Sequence, residues 1–170
     1  MSSSGAPAQG IFVAVTGPSG SGKTSVCKAL LAMFPRLRFS VSLTTRPPRP
    51  SEVDGEDYHF VSEAEFRERI RRGDLIEWAE NYGHLYGTSR EAMEEALKGH
   101  DLLLDVDTRG ARALKKAWPG GLFVFIVPPS IGELERRLRA RGSETEETIR
   151  RRFDNAVREI REIVWYDYII

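Results

Sequence analysis

Gly17-Pro18-Ser19-Gly20-Ser21-Gly22-Lys23-Thr24 fits the pattern G-x-x-x-x-G-K-[ST] at every required position. Each residue type has a physical reason to be there. Glycines lack the Cβ that would keep a curled backbone away from an anion. Successive N–H groups then point at phosphate oxygens, and a helix that follows adds its positive end. Lys23 supplies a mobile charge for β- and γ-phosphates, and Thr24 a hydroxyl for Mg²⁺. The flanks give the required order of strand, loop and helix. Ile11-Phe12-Val13-Ala14-Val15 is a short apolar run of the kind buried in parallel sheets. Val26, Leu30 and Met33 then recur at helical spacing. A merely flexible Gly/Ser turn is the competing reading, but such a turn has no use for Lys-Thr at a helix start.

The 170 residues around this loop suffice for one domain with a real core. The 25 basic and 25 acidic residues cancel, which argues against a general nucleic-acid or membrane-surface binder. No apolar run approaches the roughly 20 residues of a membrane span. Met1 to Gly10 carries neither a basic start nor an apolar stretch, so residues 1–9 read as a disordered tail and not a secretory signal. The single Cys27 excludes an internal disulfide and fits a reducing, cytoplasmic setting. It is expected to pack in the first helix and not to react.

Downstream, Phe39-Ser40-Val41-Ser42-Leu43 alternates and predicts a second strand. It runs into Thr44-Thr45-Arg46-Pro47-Pro48-Arg49-Pro50, a stiff basic segment. Guanidinium forks held by prolines match phosphate geometry; a solvated linker is the alternative. Tyr58 to Val61 predicts a short strand, and Ser62-Glu63-Ala64-Glu65 a capping box whose helix stops at Gly73. Arg67, Arg69, Arg71 and Arg72 read as that helix's solvated face. Leu75-Ile76-Glu77-Trp78-Ala79 predicts a strand with Ile76 and Trp78 on one face and Glu77 on the other. A carboxylate placed so suits a wet cleft, although spacing alone favours an ordinary half-exposed strand. Tyr82 to Thr88 reads as a Gly/Tyr-rich turn, and Thr88-Ser89-Arg90-Glu91 caps a helix carrying Met93 and Leu97.

Leu102-Leu103-Leu104-Asp105-Val106-Asp107 returns to the buried-strand pattern, with two acids at the end that faces ligand in open parallel sheets. An Asp there can reach Mg²⁺, directly or through water; Asp107 could equally cap the next helix, read from about Gly110 to Trp118. Leu122 to Val127 predicts another strand, and Ser130-Ile131-Gly132-Glu133 a further capping box, with Leu134 and Leu138 turned inward. A polar joint over Gly142 to Glu147 precedes a long helix with Ile149, Phe153, Ala156, Val157, Ile160 and Val164 on one stripe. Arginine-rich helical ends around a polar hinge predict a lid that closes over phosphates, with solvated surface as the bland reading for most of those arginines. Trp165 to Ile170 reads as entry to a last strand. The alternation implies an α/β fold: a mainly parallel central sheet with helices on both faces. The expected division is a core of 10–45, 99–129 and 156–170, an inserted subdomain of about 46–98, and a helical lid of about 130–155.

Taken together, the chain resembles guanylate kinases of the nucleoside-monophosphate kinase group over about Gly10 to Ile170. The likeness rests on Gly17 to Thr24, Ser42-Leu43-Thr44-Thr45-Arg46-Pro47-Pro48-Arg49, Gly55-Glu56-Asp57-Tyr58, Ile76-Glu77-Trp78-Ala79, Tyr86-Gly87-Thr88, Asp105-Val106-Asp107 and Arg141-Gly142-Ser143-Glu144-Thr145. The resemblance implies the reaction ATP + GMP → ADP + GDP with Mg²⁺, and small-molecule partners without nucleic acid or membrane. By the same resemblance Gly17, Pro18, Ser19, Gly20, Ser21, Gly22, Lys23 and Thr24 hold ATP. Arg46, Arg49, Tyr58 and Tyr86 clamp the GMP phosphate, and Ser42, Glu77, Thr88 and Asp107 read guanine. Lys23, Arg46, Arg137, Arg141 and Arg152 carry the transfer, and Thr24 with Asp105, through water, the metal. It also implies that a completed strand and a terminal helix would follow Ile170. Two other readings are a related phosphate-loop kinase acting on an acceptor such as ribose 1,5-bisphosphate, and a non-catalytic binding module of the same fold. The intact Gly22-Lys23-Thr24 speaks against the module, and Glu77 with Ser42 and Thr88 for a base over a bare ribose.

Overall fold

The computed structural model describes residues 10–81, 83–140 and 145–170. The tail expected over 1–9 lies outside the described residues, as do Tyr82 and residues 141–144. Strands β1 (Phe12–Thr16), β2 (Leu37–Phe39), β7 (Asp101–Asp105), β8 (Leu122–Phe125) and β9 (Tyr168–Ile169) form one sheet in the order β2-β7-β1-β8-β9. Each neighbouring pair runs parallel. Parallel neighbours need crossovers, and helices supply them. Helix α1 (Lys23–Met33) joins β1 to β2, and α4 (Thr108–Ala117) joins β7 to β8. The pair α5 (Ile131–Arg139) and α6 (Glu146–Ile160) lies between β8 and β9, while α3 (Arg90–Ala96) leads into β7.

Both sheet faces are covered, and the strand period sorts residues between them. Phe12, Ala14, Leu102, Leu104, Phe123 and Phe125 pack with Met93 of α3 and Leu114 of α4. Val15, Leu103 and Val124 pack on the other face with Cys27, Leu30 and Leu31 of α1. Of the expected apolar face of α1, Val26 and Leu30 pack here and Met33 does not. Met33 lies 69% exposed, and Cys27 and Leu31 take the inward places. Cys27 is buried and unpaired by disulfide, and burial pushes its thiol up to about 11, which keeps it protonated and inert.

A second sheet has the order β4-β3-β6-β5, from β3 (Ser42–Thr44), β4 (Tyr58–Phe60), β5 (Leu75–Asn81) and β6 (His84–Ser89). Helix α2 (Glu63–Arg72) covers it, with Phe66 packed on Leu43, Leu75 and Leu85. Ser62 Oγ accepts from Glu65 N at its start, and Gly73 at φ 73° ends it with a left-handed turn that favours glycine. Its arginines pair with Glu63, Glu65 and Glu68 along its own exposed side, as a solvated face should.

Four sequence expectations change here. The single strand over 39–43 is two: β2 belongs to the main sheet and β3 to the second, with Ser40 and Val41 turning between them. The second sheet thus begins at Ser42, ahead of the expected boundary at 46. Residues 84–88, expected as turn, belong to β6, which pairs antiparallel with both β5 and β3; short Gly and Thr side chains masked a strand that packs between two others. At the C-terminus α6 ends at Ile160, and Val164 sits 89% exposed in a 3₁₀ turn over Ile163–Trp165, off the expected stripe. Only Tyr168 and Ile169 of the last segment are strand; Trp165 and Tyr166 stack on each other at 3.9 Å and pack against the core.

The packing separates two substitutions that look alike in sequence. Leu114→Ala removes a fully buried side chain between α4 and the main sheet and should cost about 2–5 kcal/mol in urea unfolding. Met33→Ala should change stability by less than about 0.5 kcal/mol. Equal losses would contradict the assignment of the helical face.

Candidate active site

Strand β1 ends at Thr16, whose hydroxyl donates to the Tyr166 hydroxyl at 2.8 Å in the core. The chain then turns through Gly17 at φ 144°. A Cβ there would lie 2.3 Å from the Ile126 carbonyl oxygen, so both the dihedral and the space demand glycine. Gly22 precedes α1, and no side chain caps that helix. Ser25 and Val26 donate to the Gly22 carbonyl, which leaves the N–H groups of Lys23 and Thr24 for an incoming acceptor, with the helix dipole behind them. Lys23 Nζ donates to the carbonyls of Gly17 at 2.7 Å and Pro18 at 3.4 Å. Arg137, on α5, donates to the carbonyls of Gly20 at 3.2 Å and Ser21 at 3.3 Å while Glu133 holds its Nε at 2.7 Å. The loop is thus braced by two cations seated on its own carbonyls.

This loop forms one wall of a cleft of about 1070 Å³. Lys23, Thr24 and Asp105 line its phosphate end. Asp105 stands level with Val15 at the end of β7, and burial raises its carboxyl above the ordinary value against the opposing pull of Lys23. Ser42, Arg49, Tyr58 and Tyr86 line the opposite wall, built on the second sheet. Parallel pairing of β3 and β4 sets Ser42 beside Tyr58, and the Tyr58 and Tyr86 rings meet edge-on at 6.0 Å. Burial pushes the Tyr58 hydroxyl up to about 12, so it remains a proton donor. Arg137 and Arg152 reach the cleft from α5 and α6.

Of the expected site residues, Pro18, Arg46 and Thr88 are not on the cleft lining. Arg46 is turned onto Glu52 at 2.8 Å and the Pro47 carbonyl at 2.7 Å, with its guanidinium 5.5 Å from the Tyr58 ring centroid. It therefore sits behind the cleft wall and not on its lining. Thr88 is 1% exposed and touches the cleft only through Glu77, to which its hydroxyl donates at 2.7 Å. Arg141 lies outside the described residues.

Glu77 itself departs from the expected alternation. Pairing jumps from Leu75–Ser89 to Glu77–Thr88, so Ile76 is an extra residue in a β-bulge. The bulge lets Leu75, Ile76 and Glu77 all turn inward and leaves Trp78 46% exposed. Glu77 is 6% exposed, and among the described residues no ion pair joins it. Burial, with the Asp107 carboxylate nearby, pushes its carboxyl up to about 7 despite the Thr88 bond. Asp107 takes both of its readings: one oxygen accepts from Gly110 N at 2.7 Å as the cap of α4, and the residue lines the cleft.

Sequence reasoning missed several residues here. Glu52 anchors Arg46 and also accepts from Arg49 N at 2.8 Å; its place three residues after Arg49 was the available signal. Arg109 lines the cleft, donates to the Glu80 carbonyl and lies 3.5 Å from Asp107. Glu159 on α6 lines the cleft too, with burial raising its carboxyl, and nothing in the helical spacing marks it.

Comparison with known proteins gives a consistent result. The family described as guanylate kinase matches residues 10–170. A guanylate kinase of Geobacter metallireducens is 51% identical over 163 residues, covering 95% of this chain and 80% of that protein. One of Syntrophotalea carbinolica is 52% identical over 162 residues, covering 95% of this chain and 77% of the relative. The crystal structure of guanylate kinase from Anaplasma phagocytophilum superposes with a TM-score of 0.76 at 34% identity, covering 95% of this chain and 76% of that one.

The buried carboxylate carries a signed pH dependence. Glu77 is raised to about 7 in the folded protein from an ordinary 4.5, so the native state holds the proton more tightly. Stability is then lost as pH rises from 4.5 through 7, and the full penalty is present above 7. Glu77→Gln removes the charge and keeps an acceptor for Thr88. Its melting temperature without nucleotide should exceed that of the parent at pH 8, with the gap shrinking towards pH 5. A gap independent of pH would show that the carboxylate is not desolvated.

Proposed function

The chain belongs to the guanylate kinase family, and we propose how its own residues carry the reaction ATP + GMP → ADP + GDP. The observation that carries the reading is Glu77: a carboxylate buried in the cleft wall, with no ion-pair partner among the described residues. Such a group is costly unless a ligand supplies donors. The Watson–Crick edge of guanine offers N1–H and N2–H₂, which a carboxylate accepts well. Adenine presents an acceptor at N1 and would leave the charge unpaired, a mismatch worth up to ~10⁴ in discrimination. Asp107 supplies a second carboxylate at the same end and Ser42 a hydroxyl for the guanine O6. Thr88 acts through Glu77, fixing one of its oxygens. A ribose bisphosphate lacks these donors and would leave Glu77 unmatched.

The acceptor phosphate is held by Arg49, Tyr58 and Tyr86, with Arg46 behind them, tethered by Glu52. The donor phosphates are cradled by the loop N–H groups and Lys23, whose ammonium leaves the loop carbonyls for phosphate oxygens. The attacking atom is already an oxyanion, so no general base is required. Catalysis is positioning plus charge neutralisation between two anionic nucleotides. Arg137 and Arg152 approach from the α5–α6 pair, which closes over the cleft and excludes water that would otherwise take the phosphoryl group.

Thr24 and Asp105 fit a Mg²⁺ ion that is shared with phosphate oxygens. The Thr24 hydroxyl is exposed at the cleft, and Asp105 brings a carboxylate that no hydrogen bond among the described residues satisfies. Among the described residues no group of three or more acidic, Cys or His side chains could hold a metal alone. An ion held by Thr24 and Asp105 would supply positive charge to offset the charge that develops on the phosphates. Among the described residues no helix is long and apolar enough to cross a membrane, and the partners proposed are the two nucleotides.

ADP release from MgATP should be measured with GMP, AMP, UMP and ribose 1,5-bisphosphate offered separately. Turnover should be selective for GMP. Turnover with another acceptor alone would reassign the base pocket, and none with any acceptor would favour a binding module. Lys23→Ala should lower kcat by about 10²–10³. Glu77→Gln should raise KM for GMP well beyond KM for ATP, although the same change stabilises the protein without nucleotide above neutral pH.

A further inference from the structure

Gly110 lies in the first turn of α4, where glycine has no conformational reason to be. It is absent from the glycines with positive φ, and inside a helix glycine is less stable than alanine. What it provides is space. A Cβ at this position would lie 2.5 Å from Glu77 Oε2, 3.3 Å from Glu77 Cδ and 3.4 Å from Asp107 Oδ1. Its N–H donates to Asp107 Oδ1 at 2.7 Å. Glu77 is therefore gripped at both oxygens: Thr88 donates to Oε1, and Oε2 rests against the bare backbone of α4.

We propose that Gly110 is a positioning residue for base specificity, setting the orientation of the Glu77 carboxylate by the side chain it lacks. This rests on Glu77 as the reader of guanine. With no methyl at position 110, the carboxylate lies flat against the first turn of α4, in line with Asp107, and both face the same donor edge. A methyl there must displace the end of Glu77, because the atoms it meets are the tip of a flexible side chain and not backbone. The hydrogen bond from residue 110 to Asp107 uses backbone N–H and survives the change. The defect therefore falls on one carboxylate and on the nucleotide it reads, and the fold is spared.

The test is a cycle of Gly110→Ala, Glu77→Ala and the double variant in the full chain, with melting temperature and both KM values for each. Gly110→Ala should melt no lower than the parent. It should lose about 10²-fold in kcat/KM for GMP, the effect of misplacing a group by roughly 1 Å. KM for ATP should stay within about twofold. In the Glu77→Ala background the methyl has room, so Gly110→Ala should cost nothing further. Losses that multiply in the double variant would overturn the proposal. So would an unchanged KM for GMP in Gly110→Ala, or a lowered melting temperature with both KM values raised. If Glu77→Ala itself spares GMP, the guanine reading falls and this inference with it; a GMP-selective Glu77→Ala beside a silent Gly110→Ala removes only the inference.

Discussion

Parallel pairing of β1 with β7 on one side and β8 on the other is the constraint on which the phosphate end depends. Registers Val15–Asp105 and Thr16–Phe125 bring the three carboxyl-terminal ends level. The chain must leave β1 beside the Ile126 carbonyl, where only a glycine can turn. That one turn aims the following N–H groups across the strand ends and starts α1 with its uncapped end in the cleft. The same register puts Asp105 near Lys23, so the acidic strand end and the Gly-rich loop share an edge because the sheet is parallel. Antiparallel neighbours would have sent Asp105 to the other end of the sheet.

The second sheet answers a different physical problem. It has to hold an unpaired carboxylate in a dry wall. Desolvation of a carboxylate costs several kcal/mol even after relaxation, and one charge-assisted hydrogen bond returns only about 1.5–3 kcal/mol. The first term wins, and the Glu77 carboxyl is accordingly pushed up to about 7. The surrounding fold supplies what makes the arrangement tolerable. The bulge at Ile76 turns Glu77 inward, Ile76 itself is absorbed by the main core, and α4 lies close enough to need a glycine opposite the carboxylate. Stability of the empty protein is spent here on readiness for a ligand with two donors.

How far the sequence could be read follows from which interactions are local. The phosphate loop, the serine caps of α2 and α5, and the buried runs of β1, β7 and β8 are written in consecutive residues, and they stand where expected. The inward face of α1 holds at Val26, Cys27 and Leu30 and fails at Met33, the last residue of the helix, which lies exposed. Strand β6 was missed because its Gly and Thr residues gain their strand character only from two antiparallel neighbours. The bulge in β5 is likewise a property of pairing: period-2 reading placed Trp78 with Ile76, and one unpaired residue reversed it. In the cleft, the residue types carried over from family resemblance are mostly gathered into one space. Among the supporting residues Glu52 left a local trace in its i,i+3 spacing from Arg49, whereas the contacts of Arg109 with Asp107 and of Gly110 with Glu77 are set by packing that no local pattern encodes.

One feature of charge organises the cleft as a whole. Two of its cations rest on loop carbonyls: Lys23 on those of Gly17 and Pro18, and Arg137 on those of Gly20 and Ser21 while Glu133 holds its Nε. Its carboxylates Glu77 and Asp105 have no bonded cation among the described residues and carry raised proton affinities. A phosphate is a stronger acceptor than a carbonyl, so Lys23 and Arg137 can transfer to it with a net gain and little rearrangement of the loop. In the proposed reading, a base edge with two donors and a divalent cation would supply what the two carboxylates lack. Each ligand thus completes a different unsatisfied set, phosphates the cations and the base and metal the anions. Selectivity then rests on matching every set at once, because an acceptor that satisfies Arg49 and Tyr58 but leaves Glu77 bare forfeits the interaction that the second sheet was folded to provide.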